Sequence, residues 1–331
     1  MAGKVRAPIG QRGAWINTGA EPPRPGGVRV YAADESIFEC ASYRHEGRIE
    51  GVENLVLART HVIPGGSHSA SRASRAATGD ETGRRGPTPC ACTVERMTTL
   101  VFLPGLHGDA LTWSPVIGTL PDGLSATALD LPAVADLDAL VDKVAEQIAP
   151  GSVVVGHSLG GVVAMHLAER HPELLAGLVL VTAPVGAEDP ESAAARAERA
   201  AGLSQEEYEE IALDGMEAVY YGDRGHDPQV RAERLRAARV YGPERFAAHS
   251  VAIGSRPDRW DFPATASCPV LIVGASDDQV VPTDEQRQWA EKNKAPHVTY
   301  VEIPETGHML PVEAPTQLAG VLSDWLSSLE G

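Results

Sequence analysis

Between Ser152 and Arg170 the chain passes from a β-branched run directly into a helical pattern. The run reads Ser-Val-Val-Val-Gly156-His157-Ser158-Leu159-Gly160-Gly161-Val-Val-Ala-Met-His-Leu-Ala-Glu-Arg, with no room for a loop. A strand joined to a helix by one tight turn is half of a βαβ unit, which is how parallel sheets are built. The same alternation recurs from residue 98 onward. Short apolar runs at Thr99–Leu103, Ser125–Leu129, Ser152–Val155, Leu178–Thr182, Val270–Val273 and Val298–Ile303 read as strands buried on both faces. Helical patterns at Asp109–Leu120, Asp136–Ala149, Gly160–His171, Thr283–Asn293 and Ala314–Leu329 lie between and after them, and Pro172 ends the third. The expected fold class is α/β, a doubly wound and mostly parallel sheet.

Residues 184–265 interrupt the rhythm. They are rich in Ala, Glu and Arg, show helical spacing around Glu188–Ala201, Gln205–Tyr221 and Pro228–Val240, and offer no convincing strand. Eighty residues of helix between two sheet strands read as a cap over a core made of 97–183 and 266–331. Residues 1–96 differ from both. The stretch 65–96 is dominated by Gly, Ser, Pro, Ala and Arg, which bury too little to offset chain entropy, so disorder is expected there. Only Val28–Ala33 and Ile49–Val62 could form short ordered pieces. Two readings of 1–96 stand: a flexible N-terminal extension, or an over-extended reading frame with Met97 as the natural start.

Charge narrows the partners. The chain carries 28 Lys+Arg against 45 Asp+Glu, a net charge of -17, and the acidity is concentrated after residue 96. Such a body repels phosphate backbones and anionic lipid, which argues against nucleic acid and membrane surfaces. No run of 18 apolar residues and no signal-peptide core appears. The four cysteines are too scattered for a disulfide framework, which points to a reducing cytoplasm. His and carboxylates do not cluster at ligand spacing such as H-E-x-x-H, so no metal and no cofactor is implied. Oligomeric state stays open.

Chemistry gathers at four places. Gly156-His-Ser158-Leu-Gly160 is G-x-S-x-G with a strand before it and a helix after it, the setting in which a serine is held above the sheet edge as a nucleophile. Its hydroxyl needs a base, and the base an orienting acid. His308, preceded by Gly307, follows the last strand. Asp278 follows the strand at 270–273 and has the spacing Asp-x-x-x-Pro; neighbouring Asp277 competes with it, and Asp189 is a weaker substitute. Leu103-Pro-Gly105-Leu106-His107-Gly108 follows the first strand, where Leu106 and Leu159 could offer backbone N–H groups to an oxyanion. His107, Trp113, Tyr220, Tyr221 and Trp260 are candidates to touch substrate, although aromatics at helical spacing, like Met216 beside them, are also ordinary packing.

These four motifs, in this order, resemble the α/β-hydrolase family over about 97–331. The resemblance implies a sheet with a helical cap after its sixth strand. It also implies Ser158 as nucleophile, His308 as base, Asp278 as acid, and Leu106 and Leu159 as oxyanion donors. The sequence departs from the family in two places: Leu129–Ala133 lacks the glycines many members carry, and no opening hairpin is evident between 65 and 98. A serine nucleophile argues against dehalogenase and epoxide-hydrolase chemistry. The reading is a hydrolase of small or medium acyl esters or thioesters, its partner a small molecule. A cofactor-free perhydrolase, a C–C hydrolase or lyase, and a non-catalytic ligand-binding member are the alternatives.

Overall fold

The computed structural model describes residues 28–31, 37–40 and 99–329. The chain divides into two compact units after Thr93. In the first, β1 (Val28–Tyr31) and β2 (Ile37–Cys40) form an antiparallel pair. The expected piece at Ile49–Val62 and the low-complexity stretch 65–96 lie outside the described residues.

The second unit is built on six strands: β3 (Thr99–Leu103), β4 (Ser125–Ala128), β5 (Ser152–His157), β6 (Leu175–Val181), β7 (Val270–Ala275) and β8 (Val298–Ile303). They pair in the order β4-β3-β5-β6-β7-β8, and every pairing is parallel. The expected strands are therefore present, Thr99–Leu103 and Val298–Ile303 with the expected bounds and the other four with ends shifted by one to three residues. Side chains alternate between faces as the pleat requires. Val101, Leu103, Val154, Leu178, Leu180 and Ile272 pack under α2 (Leu137–Ala145) and α3 (Leu159–Arg170). Leu100, Phe102, Val153, Val155, Val179 and Val273 pack on the other face against the helix Pro315–Leu329. Covering both faces leaves only the strand ends open to chemistry. Because all six strands run one way, their carboxyl ends share one edge. The chain turns from β4 back past β3 to β5, which makes that edge a topological switch point where open α/β sheets bind ligands.

Between β6 and β7 lies a helical insertion. It holds α4 (Pro190–Ala200), α5 (Gln205–Leu213), the short α6 (Met216–Val219) and α7 (Pro228–Gly254), and contains no strand among the described residues. Two expected boundaries there are corrected. The helix read as Gln205–Tyr221 breaks at Gly215, which adopts φ 69. The helix read as ending at Val240 runs to Gly254 across a kink at Gly242 (φ 76, ψ 161), a conformation only glycine takes readily. Pro243 favours it, since proline disfavours the helical region for the residue before it. Asp109–Leu120 is likewise no single helix, but a 3-10 turn (Ala110–Trp113) followed by α1 (Ser114–Ile117).

One ion pair pins the insertion to the loop after β3. Asp109 is 2% exposed. Arg236 on α7 grips it through both terminal nitrogens, Nη1 to Oδ2 at 2.8 Å and Nη2 to Oδ1 at 3.1 Å. Removing the guanidinium strands a buried carboxylate, a change that costs about 3 kcal/mol. Arg236→Ala is therefore expected to lower the melting temperature by roughly 6–12 °C. An unchanged melting curve would show that the pair contributes nothing net.

Candidate active site

Ser158 follows β5 directly and caps α3, at φ 51 and ψ -115. A non-glycine residue held there is strained, and the neighbouring backbones fix it. A Cβ at Gly156 would lie 2.3 Å from the Gly160 carbonyl oxygen, and one at Gly160 would lie 2.2 Å from that of Leu103. Glycine at both positions lets the turn close, and the Ser158 N–H donates to the Val181 carbonyl at 3.1 Å. The hydroxyl thereby stands at the carboxyl edge of the sheet.

His308, in the loop after β8, meets it there. Its Nε2 lies 2.9 Å from Ser158 Oγ, and its Nδ1 lies 2.9 Å from Asp278 Oδ2. A carboxylate only accepts, so Nδ1 carries the proton and Nε2 is left to accept from the serine hydroxyl. All three residues are buried: Asp278 is 4% exposed, His308 6% and Ser158 7%. Asp278 is locked by four donors. Its Oδ1 accepts from the amides of Val280 and Val281 at 2.8 and 2.9 Å, and its Oδ2 from Gln286 Nε2 at 3.1 Å as well as from His308. Thr283 holds the turn, accepting from the Asp278 N–H and donating to the Ala275 carbonyl. Asp277, the competing carboxylate, is exposed and accepts from the Ser276 hydroxyl. Asp189 caps α4, accepting from the Ser192 amide.

The histidine loop is held from three sides. The His308 carbonyl accepts from His157 Nε2 at 2.9 Å and from Thr182 Oγ1 at 3.2 Å. The Met309 amide donates to the Val219 carbonyl at the end of α6. Glu313 accepts from the amides of Gly307 and Tyr221 at once. None of His157, Thr182, Glu313 or Gln286 was singled out from sequence as part of the site. Only His157, inside the G-x-S-x-G run, carried any local signal.

A cavity of about 680 Å³ opens over Ser158 and His308. Leu106 lines it, in a turn closed by the Gly108 N–H on the Gly105 carbonyl with His107 at φ 62. Leu159 is the first residue of α3, so its N–H has no partner within the helix. His107 also lines the cavity, its ring stacked on Phe246 at 4.9 Å and its Nδ1 3.0 Å from the Tyr208 hydroxyl. The other four aromatic candidates do not line it. Trp113 is fully buried against Phe102, since the 3-10 turn carries it towards the sheet. Tyr220 packs with Met216 and Met309. Tyr221 borders a separate surface cleft with Arg224 and Glu305. Trp260 packs beside the core and under Lys292. The loop Leu129–Ala133 stays outside the cavity lining as well, tied to α7 by His249 Nε2 donating to the Pro132 carbonyl.

Burial sets the protonation of the histidines around the site. It pushes His157 down to about 3, with His308 adding to the effect, and His249 down to about 4, with Arg245 adding. His107 is lowered by burial and then by Arg234, Arg199 and Arg196. All three are neutral at pH 7. In the unfolded chain they take up protons near pH 6.5, so the unfolded state binds more protons below that pH and stability must fall as pH falls. His157 and His249 would each cost about 2 kcal/mol by pH 5. Melting temperatures measured from pH 8 to pH 5 are expected to decline mainly below pH 6.5. A flat profile would mean that these rings are protonated in the fold.

A wholly parallel sheet, a serine on a strand-to-helix turn and a histidine–carboxylate pair beside it define an α/β-hydrolase. The chain belongs to the alpha/beta hydrolase family, whose model matches residues 100–321. Among characterised proteins it is similar to a pimeloyl-[acyl-carrier protein] methyl ester esterase of Aromatoleum aromaticum. The two are 32% identical over 154 residues, 44% of this chain and 57% of that one. It is also similar to a 2-succinyl-6-hydroxy-2,4-cyclohexadiene-1-carboxylate synthase of an Enterobacter species, 34% identical over 37% of this chain and 51% of the relative. The matched region thus spans little more than half the length of these relatives. Among solved structures, a thermophilic esterase from Thermogutta terrifontis superimposes with a TM-score of 0.64. It is 24% identical, over 71% of this chain and 91% of that one. An enol-lactonase from Burkholderia xenovorans superimposes with a TM-score of 0.60, at 19% identity over 70% and 92%. Both share the fold.

Proposed function

We propose that this protein is a serine hydrolase that cleaves a small or medium carboxylic ester or thioester through an acyl-enzyme on Ser158. The observation that carries the reading is the unbroken chain of two 2.9 Å contacts from Ser158 Oγ through His308 to Asp278, at the floor of a cavity. Ser158 Oγ attacks the carbonyl carbon as its proton passes to His308 Nε2, and Asp278 stabilises the imidazolium that forms. The oxyanion is held by the N–H groups of Leu106 and Leu159. His308 then protonates the leaving alkoxide or thiolate as the C–O or C–S bond breaks. In the second half His308 takes a proton from water, the hydroxide attacks the acyl carbon, and the Ser158 oxygen leaves with that proton. The helical insertion roofs the cavity and selects the acyl group. No helix among the described residues is long and apolar enough to cross a membrane, and the scattered cysteines favour a cytoplasmic setting.

A panel of p-nitrophenyl esters and acyl thioesters of two to eight carbons tests the proposal. The expected result is turnover of the shorter members, preceded by a burst of product equal to the enzyme concentration wherever deacylation is slower than acylation. No turnover across the panel, with peracid formation or C–C cleavage instead, would overturn it.

A further inference from the structure

The body of the protein is acidic, yet the wall of this cavity is not. Arg196, Arg199, Arg234 and Arg256 line it against only two carboxylates, Glu188 and Asp214. Three of the arginines have a carboxylate partner. Arg196 and Arg256 share Glu188, and Arg199 reaches Asp214 at 3.2 Å. Arg234 is different. Its Nε–H donates to the Ala212 carbonyl at 3.0 Å, at the end of α5, and among the described residues it forms no ion pair with a carboxylate. Its four terminal N–H donors have no protein partner among those residues. The side chain is half-buried. The groups that act on its charge are the tyrosines Tyr208, Tyr220 and Tyr241 rather than acids. A partly desolvated cation without a counter-charge is costly, and no carboxylate among the described residues supplies one. A planar guanidinium fixed at Nε presents its outer nitrogens as a fork that matches a carboxylate or phosphate.

We propose that Arg234 is a specificity residue that binds an anionic group of the substrate, a carboxylate or phosphate borne on the part that fills the cavity above Ser158. The inference rests on the hydrolase reading and gives it a substrate class: an ester or thioester whose acyl or leaving part ends in an anion. The other wall residues suit such a molecule, since Ile211, Val219, Phe246 and Ile253 offer apolar contact to a short chain between the scissile carbonyl and its charged end. The excess of arginine would also draw anions into the cavity of a protein that otherwise repels them.

The test compares matched p-nitrophenyl esters, mono-p-nitrophenyl glutarate and its neutral methyl-capped counterpart, on wild type, Arg234→Gln and Arg234→Lys. A phosphoryl-ended ester of equal length forms the second arm and separates carboxylate from phosphate. Wild type is expected to prefer an anionic ester over the neutral one by roughly 10- to 100-fold in kcat/KM. Arg234→Gln should erase that preference while leaving neutral-ester hydrolysis within a few-fold, and Arg234→Lys should restore part of it. A purely structural role, holding the end of α5, would lower both esters together and overturn the proposal. Equal rates on charged and neutral esters in wild type would overturn it too, while leaving the hydrolase reading intact. If no ester is turned over, titration calorimetry with glutarate and with inorganic phosphate decides: binding by wild type that Arg234→Gln abolishes supports the anion site, and no binding to wild type refutes it.

Discussion

Replacing Ser158 by alanine is expected to lower turnover by about 10⁶ with no loss of fold. The magnitude follows from a unit that fails together: without the hydroxyl, the base and its orienting acid have nothing to activate. The fold should survive because the Ser158 side chain makes its hydrogen bond to His308, whereas the strained turn is held by backbone and glycines. Alanine at φ 51 is no more strained there than serine. The measurement is kcat on the best short ester, beside a melting curve and circular dichroism. Hydrolysis near the wild-type rate by a folded Ser158→Ala protein would remove the nucleophile from the proposal.

Asp278→Asn is expected to cost about 10⁴ in kcat, and Asp277→Asn to change it by less than a few-fold. The reason for the first lies in hydrogen-bond polarity. The amides of Val280 and Val281 demand an acceptor at one end of the side chain, so the asparagine carbonyl must face them. Its NH₂ then faces His308 Nδ1, which can answer only by giving up its proton and accepting. The ring switches tautomer, Nε2 becomes a donor, and it no longer takes the serine proton. Asp277 points to solvent and has no part in this relay. Steady-state kinetics on both variants discriminates cleanly. Equal losses would mean that either carboxylate serves, and a silent Asp278→Asn would mean that neither orients the base.

Much of the fold and of the candidate site could be read from the chain because both depend on local patterns. Short runs buried on two faces mark the strands wherever helices cover both sides. The relay residues sit at strand ends, beside glycines and prolines that announce their turns. What escaped notice depends on the path of the backbone. Asp277 and Asp278 occupy one turn, and what distinguishes them is tertiary: burial, the amides of Val280 and Val281, Gln286 and His308 all select Asp278. Tyr220 and Tyr221 were placed by extending a helical period that Gly215 breaks. Trp113, which the sequence offers either as a substrate contact or as packing, is packing, because a 3-10 turn rotates it onto Phe102. Arg234 lies among several arginines on α7, and sequence alone does not distinguish the one that faces a cavity from those that face water. His157 was legible only as a spacer before the serine, although its ring holds the His308 carbonyl from across the sheet.

The most direct measurement is to incubate the protein with a fluorophosphonate and map the modified residue by peptide mass spectrometry. An activated serine oxygen displaces fluoride from phosphorus and keeps the phosphonyl group. One adduct per chain, on the peptide holding Ser158, lost in Ser158→Ala and strongly slowed in Asp278→Asn, is the expected result. An unmodified wild-type protein, or an adduct that persists on another residue when Ser158 is gone, would contradict the assignment.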